Sequence, residues 1–268
     1  MMTLKFDHFV HLTPDPNAAL EAFQKFGLHA VPGGRHEHQG TFNTLSYFGL
    51  SYVELIGIFD DSLVKQERQT KYSLRDTFSE NDYAFGPQRI AIRSTNLESL
   101  AKHLKALDYE VIGPTIHSRT RPDGSVVTWK LLFAGKPDEK ISLPFFIQWD
   151  EQDEERVADL KERGVIADHP RGNVYVDGVA IAVHSIDAVI DDFANALQLE
   201  RSEKYVDEAW NATAQRLLLP GGNIIFYEPN GDGVVQQALQ KRPGLFALEL
   251  ANEKQQEVTI FNALYRFK

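Results

Sequence analysis

Apolar and polar positions along the chain fall into strand-like stretches, each followed by a helical stripe, and this rhythm recurs. Lys5-Phe6-Asp7-His8-Phe9-Val10-His11 reads as a strand. Pro16 to Phe26 then carries helical apolar spacing, introduced by Thr13-Pro14-Asp15-Pro16, where Asp or Thr caps and Pro occupies the first turn. Gly40 to Phe48 and Ser51 to Ile58 read as strands meeting at Gly49. A second unit begins at Arg89-Ile90-Ala91-Ile92-Arg93-Ser94. In its helix, Leu97, Leu100, Ala101 and Leu104 form a stripe of i, i+3, i+4, i+7 spacing. Its later strands are Ser125 to Phe133 and Pro144 to Trp149, after the turn Arg121-Pro122-Asp123-Gly124. A third unit runs from Val176 to Val183, through a helix at Ile186 to Leu197, to strands at Thr213–Leu219 and Asn223–Glu228. Two final strands, Leu245 to Leu250 and Glu257 to Phe267, begin a fourth unit whose remainder is abbreviated.

This repeat predicts an α+β fold of βαβββ modules with curved mixed sheets around a concave cleft and helices on the outer face. The expected organisation is a first domain over 1–150, built from modules 1–58 and 86–150. A charged helical linker covers 151–172, and a second region, 173–268, holds one full module plus a truncated fourth. A single module is too small to bury its sheet face, so modules pair, and the shared concavity suits a small ligand.

Composition narrows the function. The 268 residues are 43% hydrophobic and 25% charged, as in ordinary globular proteins. No apolar run approaches the roughly 20 residues of a membrane span, and the N-terminus lacks the basic and apolar regions of a secretory signal. The absence of cysteine excludes disulfides, thiolate metal sites and cysteine nucleophiles, and a cytoplasmic location is expected. A net charge of −10 argues against nucleic acid as a partner. The acidic cluster Asp150 to Glu155 reads as a solvated helix start. Neither a G-x-S-x-G elbow nor a phosphate loop is present.

Candidate chemistry centres on His8 and Glu54, one imidazole and one carboxylate, each in a strand-like segment of the first unit with a helical segment between them. Strand alternation places His8 with Phe6 and Val10, Glu54 with Tyr52 and Ile56, Gln148 with Phe146, and Arg89 with Ala91 and Arg93. His8, Glu54, Arg89 and Gln148 are therefore expected to line one cavity, walled by Tyr52 and Phe146.

Phe6-Asp7-His8-Phe9-Val10, Gly40 to Leu45, Tyr52-Val53-Glu54-Leu55-Ile56, Ser118 to Gly124 and Leu143 to Trp149 together resemble the vicinal oxygen chelate superfamily, more closely its glyoxalase-like branch. The resemblance implies paired modules forming half-barrels, each contributing one metal ligand from its first strand and one from its last. Those positions fall on His8 and Glu54 in the first module and on Arg89 and Gln148 in the second. The third module has Gly178 and Glu228 there. His8, Glu54 and Gln148 have donor atoms suited to Zn, Ni, Mn or Fe, whereas the Arg89 guanidinium has none. Two arrangements follow. Arg89 pairs with Glu54 in place of a metal, or it grips an acidic substrate group while the other three hold the ion. The metal-free arrangement is the expectation, because a missing ligand and an added cation both oppose metal binding.

The remaining polar residues are more peripheral. His36 and His38 sit in a glycine-flanked stretch read as a loop or cavity rim. His117, Arg119 and Arg121 form either an exposed hairpin or a basic lip for an anionic ligand, and Asn43 either hydrogen-bonds a ligand or satisfies a turn. The resemblance implies an enzyme of the lyase, isomerase or dioxygenase range acting on a small oxygenated or anionic metabolite. In that reading His8, Glu54, Arg89 and Gln148 are catalytic, and Asn43, Tyr52, Arg119, Arg121 and Phe146 contact substrate. The alternative is a non-catalytic binding or sequestering protein of the bleomycin-resistance type. A homodimer is plausible in either case, since module sheets often pair.

Overall fold

A computed structural model describes residues 3–67, 70–121, 124–137, 139 and 141–268. The first half contains β1 (Leu4–Leu12), α1 (Pro16–Lys25), β2 (Val31–His36), β3 (Thr41–Phe48), β4 (Ser51–Ile58), α2 (Asp61–Glu67), α3 (Leu74–Glu80), β5 (Gly86–Ser94), α4 (Leu97–Ala106), β6 (Glu110–Thr120), β7 (Val126–Gly135) and β8 (Phe145–Trp149). The second half follows with α5 (Asp153–Glu162), β9 (Tyr175–Ala182), α6 (Ile190–Leu197), β10 (Tyr205–Asp207), β11 (Ala212–Leu217), β12 (Asn223–Pro229), α7 (Val234–Lys241), β13 (Gly244–Ala251), β14 (Gln256–Ile260) and β15 (Ala263–Phe267).

The first two modules close into an eight-stranded barrel of order β1-β4-β3-β2-β6-β7-β8-β5. Within each module the first strand runs parallel to the last, and the two first strands meet antiparallel, with His8 opposite Ala91. The second half forms an open seven-stranded sheet, β10-β11-β12-β9-β13-β15-β14. Its β12-β9-β13-β15 core repeats the β4-β1-β5-β8 pairing. β13 passes to β14 through residues 252–255 without a helix, so no strand answers to β6 and the sheet stays open. Its concave face carries Ala180, Ala182, Ala212, Ala214 and Ala247, whose small side chains leave room for α7 to bury Val235 and Leu239 there. The helix occupies the space that in the barrel is a cavity.

Local signals account for most of these elements. Asp15 caps α1 by accepting from Asn17 N at 2.9 Å, and Asn96 caps α4 by accepting from Ser99 N at 2.8 Å. Four details differ from the pattern. α6 starts at Ile190 rather than Ile186, because Glu228 takes the Ile186 amide and holds that segment as a turn. Of the stretch read as a glycine-flanked loop, Gly33 to His36 belong to strand β2 and Glu37 to Gly40 form the turn. The last apolar stretch is a hairpin, β14–β15, turning at Phe261 and Asn262 with positive φ. Helices α2, α3 and α7 were not anticipated. Pro122 and Asp123 of the expected hairpin turn lie outside the described residues.

One continuous core joins the halves. Phe6, Phe9 and Phe23 of the first module pack with Val179, Ile181, Leu248, Tyr265 and Phe267. His11 in β1 is fully buried and accepts from Tyr265 Oη at 2.7 Å through Nδ1, while Nε2 donates to Phe261 O at 3.1 Å. No helix among the described residues is long and apolar enough to cross a membrane.

Candidate active site

The barrel encloses a cavity of about 70 Å³, with His8, Glu54 and Asn43 on one wall and Trp129, Phe145, Ile147 and Trp149 on the other. Val64, Leu74 and Phe78 of α2 and α3 pack among its inward-facing apolar residues. Leu160 of α5, in the segment expected as a linker, packs on Leu45, Tyr47 and Tyr52. This segment is a docked part of the wall: Arg121 pairs with Asp159 at 3.0 Å, and Asp153 pairs with Lys5 at 2.8 Å and Arg93 at 3.2 Å.

A bulge in β1 sets the chemistry. Phe6 pairs with Ile92 and His8 with Ala91, leaving Asp7 as an extra residue. Phe6 therefore joins the outer core instead of sharing the His8 face, and Asp7 and His8 side chains meet. Asp7 Oδ1 lies 2.7 Å from His8 Nδ1, and Trp149 Nε1 donates to Asp7 Oδ2 at 3.0 Å. Arg93 and Arg156 each approach Asp7 Oδ2 to 4.0 Å. Burial opposes the Asp7 charge most strongly. The His8 hydrogen bond and the charges of Arg156, His8 and Arg93 together overcome it and hold the carboxyl below its ordinary value. An ionised Asp7 accepts from His8 Nδ1–H, so the Nε2 lone pair of the imidazole faces the cavity. Tyr52 stacks on the imidazole at 4.6 Å and Phe145 meets it edge-on at 5.4 Å, fixing the ring.

Glu54 Oε2 stands 3.7 Å from His8 Nε2, beyond hydrogen-bond length. Its Oε1 accepts from Asn43 Nδ2 at 2.5 Å, and Asn43 Oδ1 in turn accepts from Gly34 N at 3.0 Å and Arg119 at 3.5 Å. Gly33 makes this orientation feasible, since a Cβ there would stand 2.1 Å from Asn43 Oδ1. Arg75, reaching in from α3, donates to Gln39 Oε1 at 2.8 Å and Thr41 Oγ1 at 2.9 Å. His36 is buried in the wall, and burial, followed by Arg75, Arg119, His117 and His8, pushes its pKa well below the usual value, so it stays neutral. Burial and the neighbouring Asp7 charge likewise keep the Tyr52 phenol neutral.

Of the sequence-derived set, His8, Glu54, Asn43, Tyr52 and Arg119 converge on this cavity. Arg89, Gln148, Phe146 and Arg121 do not line it. In β8 the alternation is as expected but the faces are reversed: Phe145, Ile147 and Trp149 point inward, while Phe146 joins the outer core and Gln148 Oε1 accepts from Leu97 N at the start of α4. Arg89 donates to Tyr72 O, Thr77 Oγ1 and Leu143 O and makes no ion pair with Glu54. His36, read as part of a loop or cavity rim, lines the cavity, whereas Asp7, Arg75, Trp149 and Arg156 were missed. Only Asp7, a charge inside an apolar strand, carried a signal.

The register explains why the second module supplies no ligands. His8 faces Ala91 across the two-module axis. Two residues beyond His8, Val10 pairs with Glu54; two beyond Ala91, Arg93 pairs with Ile147. Ala91 and Ile147 thus hold the places that answer to His8 and Glu54, and neither has a donor atom. No three His, Asp or Glu side chains among the described residues converge as a metal site. The residues present do not fit the divalent ion that metal-using members of the superfamily hold.

Paired βαβββ modules with first strands meeting antiparallel define the vicinal oxygen chelate architecture. The glyoxalase-like domain family matches residues 6–197, and the chain belongs to that family. A hypothetical protein from Staphylococcus aureus is similar over 99% of both chains, with a TM-score of 0.80 and 21% identity. A mutant 4-hydroxymandelate synthase from Streptomyces coelicolor is similar over 95% of this chain and 72% of its own, with a TM-score of 0.57 and 13% identity. Both likenesses concern the fold. No curated protein matches the sequence.

Proposed function

We propose that the protein catalyses metal-independent proton transfer on a small oxygenated, anionic metabolite bound in the barrel, within the isomerase or lyase range. The Asp7–His8–Glu54 arrangement supports this reading most. Asp7 fixes the tautomer that presents Nε2 as a base, the role a carboxylate plays toward a catalytic imidazole. Proton uptake makes an imidazolium flanked by two carboxylates, which stabilise it. Arg119 and Arg75 supply positive charge for a carboxylate or a developing enolate, and the aromatic walls exclude water. Glu54, held by Asn43, either receives the second proton or stabilises the first.

Solvent-deuterium uptake tests the proposal. Untagged protein is incubated in D2O, with and without a chelator, against α-keto acids, α-ketoaldehyde thiol adducts and catechols, and exchange is followed by NMR. Chelator-resistant exchange that falls at least ~100-fold in His8→Gln is expected for a general base. Exchange that persists in His8→Gln overturns the proposal.

The apolar residues at the Ala91 and Ile147 positions favour a second reading, a binding protein without chemistry. Saturable binding with no exchange of any bound ligand would establish it. The proposal includes a small molecule as partner rather than nucleic acid or membrane, a cytoplasmic setting and a homodimer; light scattering tests the last.

A further inference from the structure

Arg89 has a different surrounding from the one its sequence position suggested. Its side chain is 5% exposed and is packed between the barrel and the second sheet. The guanidinium donates to Thr77 Oγ1 at 2.8 Å, to Tyr72 O at 3.1 Å and to Leu143 O, all uncharged acceptors. Its Nε is buried without a partner. Among the described residues no carboxylate comes within the 4.0 Å of an ion pair with it. Buried charges are normally paired, and burial is the largest influence on Arg89, whose pKa is lowered to about 10. Glu139, Glu80 and Asp76 offset this only through space.

The same residue lines a cavity of about 140 Å³ between the two halves. A second guanidinium, Arg242 at the end of α7, stands on its rim and is anchored by donating to Pro87 O at 3.0 Å. Arg242 likewise has no carboxylate within 4.0 Å among the described residues. The other polar lining groups are Thr77, Asn81, Gln88, Ser142 and Glu80. Two guanidinium groups and one carboxylate line the cavity, with Glu139 and Asp76 acting on Arg89 from beyond the lining. Guanidinium forks match carboxylate and phosphate oxygens, and their strength rises with burial.

We propose that this inter-sheet cavity binds a small oxyanion, a carboxylate or phosphate group, between Arg89 and Arg242. The site is separate from the barrel cavity. Helix α3 stands between them, with Thr77 turned to Arg89 and Arg75, two residues earlier, turned into the barrel.

Thermal unfolding of the full chain in inorganic phosphate or acetate, against chloride at equal ionic strength, tests this site. A ligand that binds only the folded state raises Tm, and about 2–4 °C is expected near saturation. Arg242→Ala removes an exposed side chain and should fold normally while losing most of that rise. Arg89→Met should lose it as well. Arg119→Ala, which alters only the barrel cavity, should retain it. Absence of a phosphate or acetate effect in the wild type overturns the proposal. So does a rise that survives Arg242→Ala, or one that disappears in Arg119→Ala. None of these outcomes depends on whether His8 is a base.

Discussion

Asp7 and His8 are adjacent in sequence, yet their side chains meet at 2.7 Å inside the barrel. Regular strand geometry would send them to opposite faces. The bulge against β5 removes that separation, and Trp149 from the end of β8 completes the contact by donating to the second Asp7 oxygen. The candidate base thus arises from a local defect in one strand and a side chain 142 residues away.

Asp7→Asn should lower stability on the order of 3 kcal/mol, because it leaves Arg93 and Arg156 beside a neutral group in a buried site. The folded-state pKa of Asp7 is depressed. Its contribution is therefore present above the unfolded value of about 3.9 and is lost as pH falls through the folded value. Urea unfolding from pH 7 to pH 2.5 should show a steeper acid loss for the wild type than for Asp7→Asn. Parallel profiles would remove Asp7 from this role.

His11 produces a second pH dependence, of opposite chemical origin. Burial lowers its pKa from 6.5 to about 4, with the Phe261 hydrogen bond opposing the shift. The unfolded chain binds the proton first, so stability is complete above pH 6.5 and declines as pH falls toward 4. The loss reaches about 3 kcal/mol at most. Urea midpoints at pH 7.5 and pH 5 should separate clearly in the wild type and draw together in His11→Gln.

Gly33→Ala tests the Asn43–Glu54 contact from outside the cavity. The new methyl group would displace the Asn43 amide, and the cost should be about 1–3 kcal/mol. Ligand affinity or deuterium exchange should fall about tenfold or more, as Glu54 loses its orientation. Gly231→Ala, whose Cβ meets only Asn211 in the second half of the chain, is the control.

Ala91→His combined with Ile147→Glu should supply the two donors that the second module lacks. The double variant should bind a divalent ion such as Zn or Ni with one-to-one stoichiometry by titration calorimetry, with loss of binding in a His8→Ala background. Failure of the double variant to bind while it remains folded would contradict the pseudo-symmetric register.

The module rhythm, the capped helices, and the faces of Glu54 and Tyr52 were legible because they follow from local rules: apolar period, capping chemistry and strict alternation. The alternation of β8 was legible as well, but its facing was not. Phe146 and Phe145 are equally apolar, and only closure of the barrel decides which enters the cavity. Arg75, Arg156 and α7 lay beyond reach for a similar reason, since nothing local distinguishes a cation that docks from one that is solvated.

The sequence by itself determined the repeated α+β architecture and two side chains of the cavity, His8 and Glu54, through short-range periodicity. Tertiary structure decided what those two side chains can do. The bulge at Asp7 and the pairing of Ala91 and Ile147 with the first module are matters of inter-strand register. Register is settled by packing between segments far apart in the chain, where a shift of one residue exchanges a ligand for a methyl group.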